Sequence, residues 1–262
     1  MQERDGDFIW YELITTDISA ANVFYSGLMD WTASDAGMPD RPYGMFSARG
    51  AMIAGALELT SDMLAGGAQP MWAAYLAVDD ADAAAKRVVA AGGEILMQPW
   101  DIPDVGRITF VKAPDGALFY IMSGMTGEPS ESFAAREPRV GHCAWNELAS
   151  TDLVAAEKFY ADLFGWEKAE TIDLGEMGPY GLYKNGSDRD FNFGGFMEAP
   201  DGMPSMWQFY FRVADIDKAA DFTAKNGGTI LVGPIEIPGG EYSISGIDPQ
   251  GAVFGCVGER IG

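Results

Sequence analysis

The chain has 262 residues, 48% of them hydrophobic and 12% aromatic, which is enough for two domains that each bury a core. Its 39 acidic and 17 basic residues give a net charge of −22 at pH 7, a balance that disfavours nucleic acids and anionic membrane surfaces as partners. No apolar run reaches about 18 residues and the acidic N-terminus does not resemble a signal peptide, so we expect a cytoplasmic protein without a membrane partner.

Roughly the first 60 residues of the sequence predict a strand, a helix and two more strands. An alternating run rich in β-formers predicts a strand over Phe8–Thr15, and an amphipathic pattern predicts a helix from Asp17 to about Leu28. Strands over Gly44–Ala48 and Met52–Leu59 follow, separated by the turn formers Arg49-Gly50.

The same order of elements then begins again. We predict a strand over Met71–Val78 and a helix over Asp80–Ala91 that ends at a Gly-Gly pair. Three further strands are predicted over about Glu94–Gln98, Arg107–Lys112 and Ala117–Met122. The first half therefore contains two βαβββ-like units, with one strand of the first unit poorly defined by the sequence.

The second half of the chain repeats the first. Asp17 pairs with Asp152 and Pro114 with Pro249, both at an offset of 135 residues, and insertions are needed only around residues 32–70. We predict a first domain over residues 1–125, a linker rich in Pro, Ser and Glu over 126–138, and a second domain over 139–262. An aspartate suited to an N-cap precedes each of the four helices of this duplicated pattern, namely Asp17, Asp80, Asp152 and Asp215.

Both halves carry the motif Asp-x-x-x-Ala-x-x-Phe-Tyr-x-x-Leu-x-x-Trp after their first strand, at Asp17–Trp31 and Asp152–Trp166. With the segment Asp248–Phe254, this resembles the vicinal oxygen chelate superfamily, which includes glyoxalase I, bleomycin-resistance proteins, fosfomycin-resistance enzymes and extradiol dioxygenases. The resemblance implies an α+β fold of two tandem glyoxalase/bleomycin-resistance-type domains. Each domain would pair two βαβββ units that curl into a cup around a small molecule.

In metal-dependent members of that superfamily, His, Glu or Gln ligands lie on the first and closing strands of each unit. By this resemblance the corresponding positions are Trp10, Ala73, Trp145 and Gln208 on first strands, Tyr120 and Gly255 on closing strands, and residues near Gly55 and Gly195. Only Gln208 can coordinate an ion, and one amide cannot hold a hard divalent cation. We therefore expect no metal and no cofactor, and we retain Gln208 as a candidate ligand-binding residue.

Two aromatic–carboxylate pairs are further candidates for ligand contact. Strand parity places Trp10 with Glu12 on one face of the first strand, and Trp145 with Glu147 on the equivalent face in the second half. Such pairs fit a cleft wall, where the ring supplies apolar area and the carboxylate a polar anchor. The carboxylates could instead pair with arginine or backbone donors, or act as general bases if they are desolvated.

Other candidates rest on position in the resemblance. Tyr43 and Tyr180, each in a Pro-Tyr-Gly sequence, would lie near a cup mouth. Tyr120 replaces a metal ligand, so its hydroxyl could occupy the metal position and donate a hydrogen bond. Arg107 aligns with Tyr242 and could meet an anionic ligand or pair with acids on the surface.

The remaining polar candidates are few. His142 is the single histidine, and its strand parity differs from that of Trp145, so we expect a structural role, with general base or ligand as the alternative. Cys143 and Cys256 are too few for a disulfide framework and are expected as buried thiols.

These observations favour a protein that binds a small organic molecule in an aromatic-lined cup without metal. The ligand would be apolar or a cationic aromatic, as the net charge favours. The alternative is an enzyme with a non-standard site, either a lyase resembling lactoylglutathione lyase or an oxidoreductase resembling the dioxygenases. The expected assembly is a monomeric pseudo-dimer or a homodimer.

Overall fold

The computed structural model describes residues 3–38, 42–124 and 129–261. Positions 126–128 of the predicted linker lie outside these described residues, and the boundaries of the two predicted domains stay a prediction.

The first half of the chain folds into eight strands and three helices, close to the predicted order. Its elements are β1 Phe8–Thr15, α1 Ile18–Met29, β2 Thr32–Asp35, β3 Tyr43–Ala48, β4 Ala51–Glu58, α2 Ser61–Ala65, β5 Met71–Ala77, α3 Ala81–Ala90, β6 Glu94–Ile102, β7 Gly106–Lys112 and β8 Leu118–Gly124. The strand β2 and the short helix α2 were not predicted, because their residues are mostly exposed and show no hydrophobic period.

The second half repeats this order of strands. Its elements are β9 Cys143–Ser150, α4 Leu153–Phe164, β10 Trp166–Asp173, β11 Pro179–Asn185, β12 Gly194–Glu198, β13 Met206–Arg212, α5 Ile216–Lys225, β14 Thr229–Glu236, β15 Tyr242–Ile247 and β16 Val253–Gly258. A 3₁₀ turn at Gly175–Met177 precedes β11.

Each half forms one mixed eight-stranded sheet, and the two sheets have the same topology. The strand orders are β2-β3-β4-β1-β5-β8-β7-β6 and β10-β11-β12-β9-β13-β16-β15-β14. Within each half, the first strand of a βαβββ repeat runs parallel to the closing strand of that repeat. The hairpins β2-β3-β4 and β6-β7-β8 and their counterparts in the second half are antiparallel. This arrangement confirms the predicted α+β fold of two tandem domains.

The predicted aspartate N-caps are present at all four helices of the duplicated pattern, α1, α3, α4 and α5. The side chains of Asp17, Asp80 and Asp152 accept hydrogen bonds from the backbone N–H three residues later at 2.9–3.0 Å, and Asp215 accepts from two backbone N–H groups. Each cap satisfies donors that the first helical turn leaves without partners. In the described part of the chain, none of the helices has the length and apolar character needed to cross a membrane.

Backbone contacts divide the chain into two compact units, and each takes segments from both sequence halves. Unit 1 contains Met1–Ile9, Ala74–Ser130 and Trp145–Trp207, and unit 2 contains Trp10–Ala73, Glu131–Ala144 and Gln208–Gly262. The helix α3 packs on α4 in unit 1, and α1 packs on α5 in unit 2. The repeated order of elements therefore produces two similar cores, each built jointly by the two copies of the sequence.

The tyrosine of the repeated Phe-Tyr motif lies at the centre of each core. In unit 2 the fully buried Tyr25 accepts a hydrogen bond from Trp72 Nε1 at 2.9 Å and donates one to Asp248 Oδ2 at 2.9 Å. In unit 1 the equivalent Tyr160 accepts from Trp207 Nε1 at 2.9 Å. Burial raises the pKa of both phenols well above the ordinary value, so they stay protonated. The motif is therefore part of the core.

Candidate ligand-binding sites

A hydrogen-bonded network in unit 2 joins three of the predicted site residues. Trp10 and Glu12 are two residues apart on β1 and project to the same face, and Tyr43 opens the neighbouring hairpin. Trp10 Nε1 lies 3.4 Å from Tyr43 Oη, which donates to Glu12 Oε2 at 3.0 Å. Glu12 is only 3% exposed, whereas both rings are half-buried. The accessible part of this network is thus mainly aromatic.

Unit 1 contains the same network with shorter hydrogen bonds. Trp145 Nε1 donates to Tyr180 Oη at 2.7 Å, and Tyr180 Oη donates to Glu147 Oε2 at 2.8 Å. Here the burial is reversed, because Tyr180 is buried and Glu147 is half-buried. Glu147 in unit 1 therefore keeps some solvent exposure, whereas Glu12 in unit 2 is buried.

Two glycines make room for these tyrosine rings. A Cβ atom at Gly55 would lie 1.9 Å from Tyr43 Oη, and a Cβ atom at Gly195 would lie 2.1 Å from Cε1 of Tyr180. Gly55 pairs with Glu12 and Gly195 with Glu147 in the sheet register, so each glycine lies directly beside a network carboxylate. Sequence reasoning named both positions as lacking a metal ligand but missed this role. A glycine inside a strand, which often marks a close approach, was the available signal.

Tyr120 belongs to an aromatic stack within unit 1. It pairs in register with Tyr75, and their ring centroids lie 4.3 Å apart at an interplanar angle of 11°. Phe110 packs against Tyr120 with a centroid distance of 4.4 Å. Tyr75 and Tyr120 are buried, so this stack presents little of either ring to solvent.

Gln208 lies in unit 2 and its amide group is engaged with neighbouring oxygens. Nε2 donates to Ser245 Oγ at 2.8 Å and to the carbonyl of Phe254 at 3.3 Å. On the neighbouring closing strand, Gly255 pairs with Tyr210, and a Cβ at Gly255 would lie 2.6 Å from the Tyr210 ring. All three glycines at the positions where the resemblance expects metal ligands, Gly55, Gly195 and Gly255, therefore lie against a tyrosine ring.

Arg107 is held by two carboxylates on the surface of unit 1. Its guanidinium donates to Asp82 at 2.7 and 3.1 Å and to Asp101 at 2.8 Å. The hydrogen bonds to Asp82 and then Asp101 raise the pKa of Arg107, and the same contact lowers the pKa of Asp82. This arrangement matches the surface pairing that the sequence left open for Arg107.

His142 lies in unit 2 and is 2% exposed. Its Nδ1 is 2.6 Å from the carbonyl oxygen of Glu131, and since a carbonyl can only accept, Nδ1 carries the proton. Burial lowers the pKa of the imidazole below its ordinary value of 6.5, so the ring is neutral at pH 7.

The donor set at the eight positions where the resemblance expects metal ligands does not fit a divalent metal. These positions hold two indoles, one methyl group, one phenol, three glycines and one amide whose nitrogen already donates to Ser245 and Phe254. Among the described residues, no group of three or more His, Cys, Asp or Glu side chains is placed to hold an ion.

Comparison with known proteins places this geometry in context. A family model described as the Glyoxalase/Bleomycin resistance protein/Dioxygenase superfamily matches residues 8–121 and 139–254. The chain is 34% identical over 255 residues to "Putative glyoxylase CFP32" of Mycobacterium tuberculosis, covering 96% of this chain and 94% of the relative. It is 30% identical over 266 residues to "Anthracycline biosynthesis protein DnrV" of Streptomyces peucetius, covering 97% and 93%.

Solved structures share the fold at lower identity. The Mn(II)-bound glyoxalase from Novosphingobium aromaticivorans superposes with a TM-score of 0.62 at 20% identity, covering 99% of this chain and 83% of that one. The 2,3-dioxygenase LapB from Pseudomonas sp. KL28 superposes with a TM-score of 0.64 at 14% identity, covering 98% and 92%.

Proposed function

The chain belongs to the glyoxalase/bleomycin resistance protein/dioxygenase superfamily, and we propose that it binds a small organic molecule with an aromatic body at its Trp–Tyr–Glu networks, without a metal ion. The observation that carries this proposal is the duplicated network itself. At the positions where the superfamily resemblance expects metal ligands, the chain places an indole and a glycine that lie on either side of a tyrosine hydroxyl.

The network has the composition of a small-molecule recognition surface. Indole and phenol rings supply rigid apolar area for stacking, and a carboxylate in the same cluster can fix one polar group of the ligand. The hydrogen bonds from Trp145 to Tyr180 and from Tyr180 to Glu147 hold all three side chains before a ligand arrives. Such preorganisation reduces the entropy lost on binding.

The ligand chemistry follows from the carboxylate and the net charge. Glu147 is half-buried and can receive an N–H or O–H donor, and an ammonium or amidine group would bind it most strongly. The net charge of −22 also attracts cations to the surface. Two Streptomyces relatives, at 30% and 29% identity, are named for the biosynthesis of anthracyclines, which are aromatic, and this supports an aromatic ligand for this chain.

Unit 1 is the better candidate for direct contact with the polar group of the ligand. In unit 2 Glu12 is 3% exposed and accepts a hydrogen bond from the half-buried Tyr43, so a ligand there would meet the rings first. We therefore propose that the two networks differ in preference, with unit 1 favouring a cationic or donor-bearing aromatic and unit 2 a more apolar one.

The test compares two planar aromatic probes of opposite charge, 9-aminoacridine and anthraquinone-2-sulfonate. We expect the cationic probe to raise the melting temperature and to quench tryptophan fluorescence, because a ligand of the native state stabilises it by mass action. Glu147→Gln should weaken this binding by about tenfold, as expected for a lost charge-assisted hydrogen bond. Glu167→Gln, which removes one exposed carboxylate from β10, is the matched control and should change nothing. Equal binding of both probes, or equal binding by Glu147→Gln and the parent protein, would contradict the proposal.

The second candidate is an enzyme of the lyase or dioxygenase type with a non-standard site. It is favoured by the 34% identity to a putative glyoxylase over 96% of the chain. Metal analysis of the purified protein separates the two. Stoichiometric Zn, Ni, Fe or Mn would favour the enzyme and overturn metal-free binding, whereas probe binding by protein stripped with chelator supports the first candidate.

A further inference from the structure

Two structurally equivalent corners of the molecule differ in charge, and the difference is independent of the Trp–Tyr–Glu networks. In unit 1, Trp166 Nε1 donates to the carbonyl of Gly6 at 3.2 Å, and in unit 2, Trp31 Nε1 donates to the carbonyl of Gly141 at 2.7 Å. The backbone turns match as well, since Asp7 N donates to the Arg4 carbonyl and His142 N to the Arg139 carbonyl. Residues 4–7 and 139–142 therefore occupy the same place in the two units.

The corner of unit 1 is filled by complementary ion pairs. Arg4 pairs with Asp188 at 2.9 Å, and Arg189 pairs with Asp7 at 2.6 Å. Asn185 adds an amide hydrogen bond to Asp7 at 2.6 Å. Two guanidinium groups and two carboxylates make this corner electrically balanced.

The corner of unit 2 has no counterpart of Asp7 or Asp188. His142 stands where unit 1 has Asp7, and the β11–β12 loop that carries Asp188 is replaced by the two-residue turn Arg49-Gly50 between β3 and β4. What remains is a partly open cavity of about 290 Å³ lined by Ala48, Arg49, Gly50, Ala51, Glu131, Arg139 and His142. Two guanidinium groups and an imidazole thus face the one carboxylate of Glu131, which is 3.4 Å from Arg139. This excess of positive charge occurs in a chain of net charge −22.

The backbone at Arg49 suggests that its side chain is required. Arg49 has a φ of 51° and is followed by Gly50 with a φ of 93°, so both turn residues lie in the left-handed region. Two-residue hairpins of this kind favour Asn-Gly or Gly-Gly, and a Cβ-bearing residue other than Asn or Asp at the first position costs conformational energy. Turn geometry therefore does not explain an arginine here, whereas a charged lining of the cavity does.

We propose that this cavity in unit 2 binds a small oxyanion, a carboxylate or phosphate group, between the guanidinium groups of Arg49 and Arg139 and beside His142. Guanidinium forks bind both kinds of oxyanion in bidentate geometry. His142 responds to the anion because its Nδ1–H is fixed on the Glu131 carbonyl, which leaves Nε2 as the atom that gains a proton. Arg49 and Arg139 oppose that proton and Glu131 favours it, so an anion that offsets the two arginines makes protonation easier.

The experiment follows the imidazole of His142 by NMR, which is unambiguous because the chain has one histidine. The full chain is titrated with inorganic phosphate and, separately, with succinate, against chloride at the same ionic strength. We expect one of the two anions to shift the His142 signals saturably and to raise the imidazole pKa. Tighter binding of phosphate would indicate a phosphorylated ligand, and tighter binding of succinate a carboxylate ligand.

Charge-removal variants decide whether the cavity is responsible. Arg49→Ala and Arg139→Ala should each weaken the anion by about tenfold or more, as expected for a lost charge-assisted hydrogen bond. Arg260→Ala, which removes a cation paired with Asp217 elsewhere in unit 2, is the matched control and should retain the parent affinity. Non-saturable shifts equal to those in chloride, or equal weakening by all three substitutions, would overturn the proposal.

Discussion

Replacing Gly195 by alanine tests whether a tyrosine ring really occupies the former ligand position. The added Cβ would lie 2.1, 2.3 and 2.4 Å from Cε1, Cζ and Oη of Tyr180. Carbon atoms in contact are ordinarily about 3.5–4.0 Å apart, so the ring must retreat by roughly 1 Å or more. That movement stretches the hydrogen bonds at 2.7 Å from Trp145 and 2.8 Å to Glu147. Overpacking costs about 1–3 kcal/mol and a strained hydrogen bond about 1 kcal/mol, so we expect a loss of about 2–4 kcal/mol.

The assay is urea unfolding followed by tryptophan fluorescence and far-UV circular dichroism. Gly124→Ala is the control, because a Cβ at Gly124 has only Met122 Cε within 4.0 Å. A double-mutant cycle with Tyr180→Ala then isolates the clash, since Gly195→Ala should cost little once the ring is gone. If Gly195→Ala costs the same in the presence and absence of the ring, the ring does not explain the glycine and the reasoning fails.

Three further predictions follow from the cores and the surface. Tyr25→Phe should lower the free energy of unfolding by about 1–3 kcal/mol, because buried Trp72 and Asp248 each lose a hydrogen-bond partner. A urea midpoint equal to that of the parent protein would contradict this loss of stability. Because the folded-state pKa of His142 is lowered by burial, the unfolded chain binds more protons than the folded chain as the pH falls from 7 to 5. The free energy of unfolding of the parent protein, relative to that of His142→Asn, should therefore decrease over this range in chloride buffer. A constant difference between the two free energies would show that the ring is not desolvated. Arg107→Ala should leave the affinity for both aromatic probes unchanged, because its guanidinium is already held by two aspartates, and a tenfold loss of affinity would assign it to a ligand site.

The duplication made the fold readable from the sequence. The 135-residue offset, the aspartate N-caps and the hydrophobic periods predicted all but two of the regular elements of the first half, because those signals are local. The strand β2 escaped prediction because three of its four residues are exposed and carry no apolar alternation. Strand parity also placed Trp10 with Glu12 and Trp145 with Glu147 correctly on shared faces.

The hydrogen bonding of the candidate site could not be read in the same way. Gly55 and Gly195 signal a close approach inside a strand, but the sequence does not identify Tyr43 and Tyr180 as the rings that approach, because that contact depends on strand register. The contrast between the two corners was also hidden, because the loop bearing Asp188 falls in the region where the two copies need insertions to align. Long-range pairing, unlike helix capping, is settled only by the folded chain.

The shared construction of the two cores has a consequence for synthesis on the ribosome. Apart from its short N-terminal segment, unit 1 lies between Ala74 and Trp207, so its chain is available before the last strands of the protein are made. Unit 2 joins Trp10–Ala73 to Gln208–Gly262, so Tyr25 must wait for Asp248 to emerge. The segment Trp10–Ala73 is therefore synthesised early but obtains the remainder of its core only when Gln208–Gly262 has emerged. During that interval the nascent chain lacks the rings that cover Phe24 and Trp31 in the finished unit, Phe254 and Phe211, so these two aromatic side chains are the surface that a chaperone would have to shield.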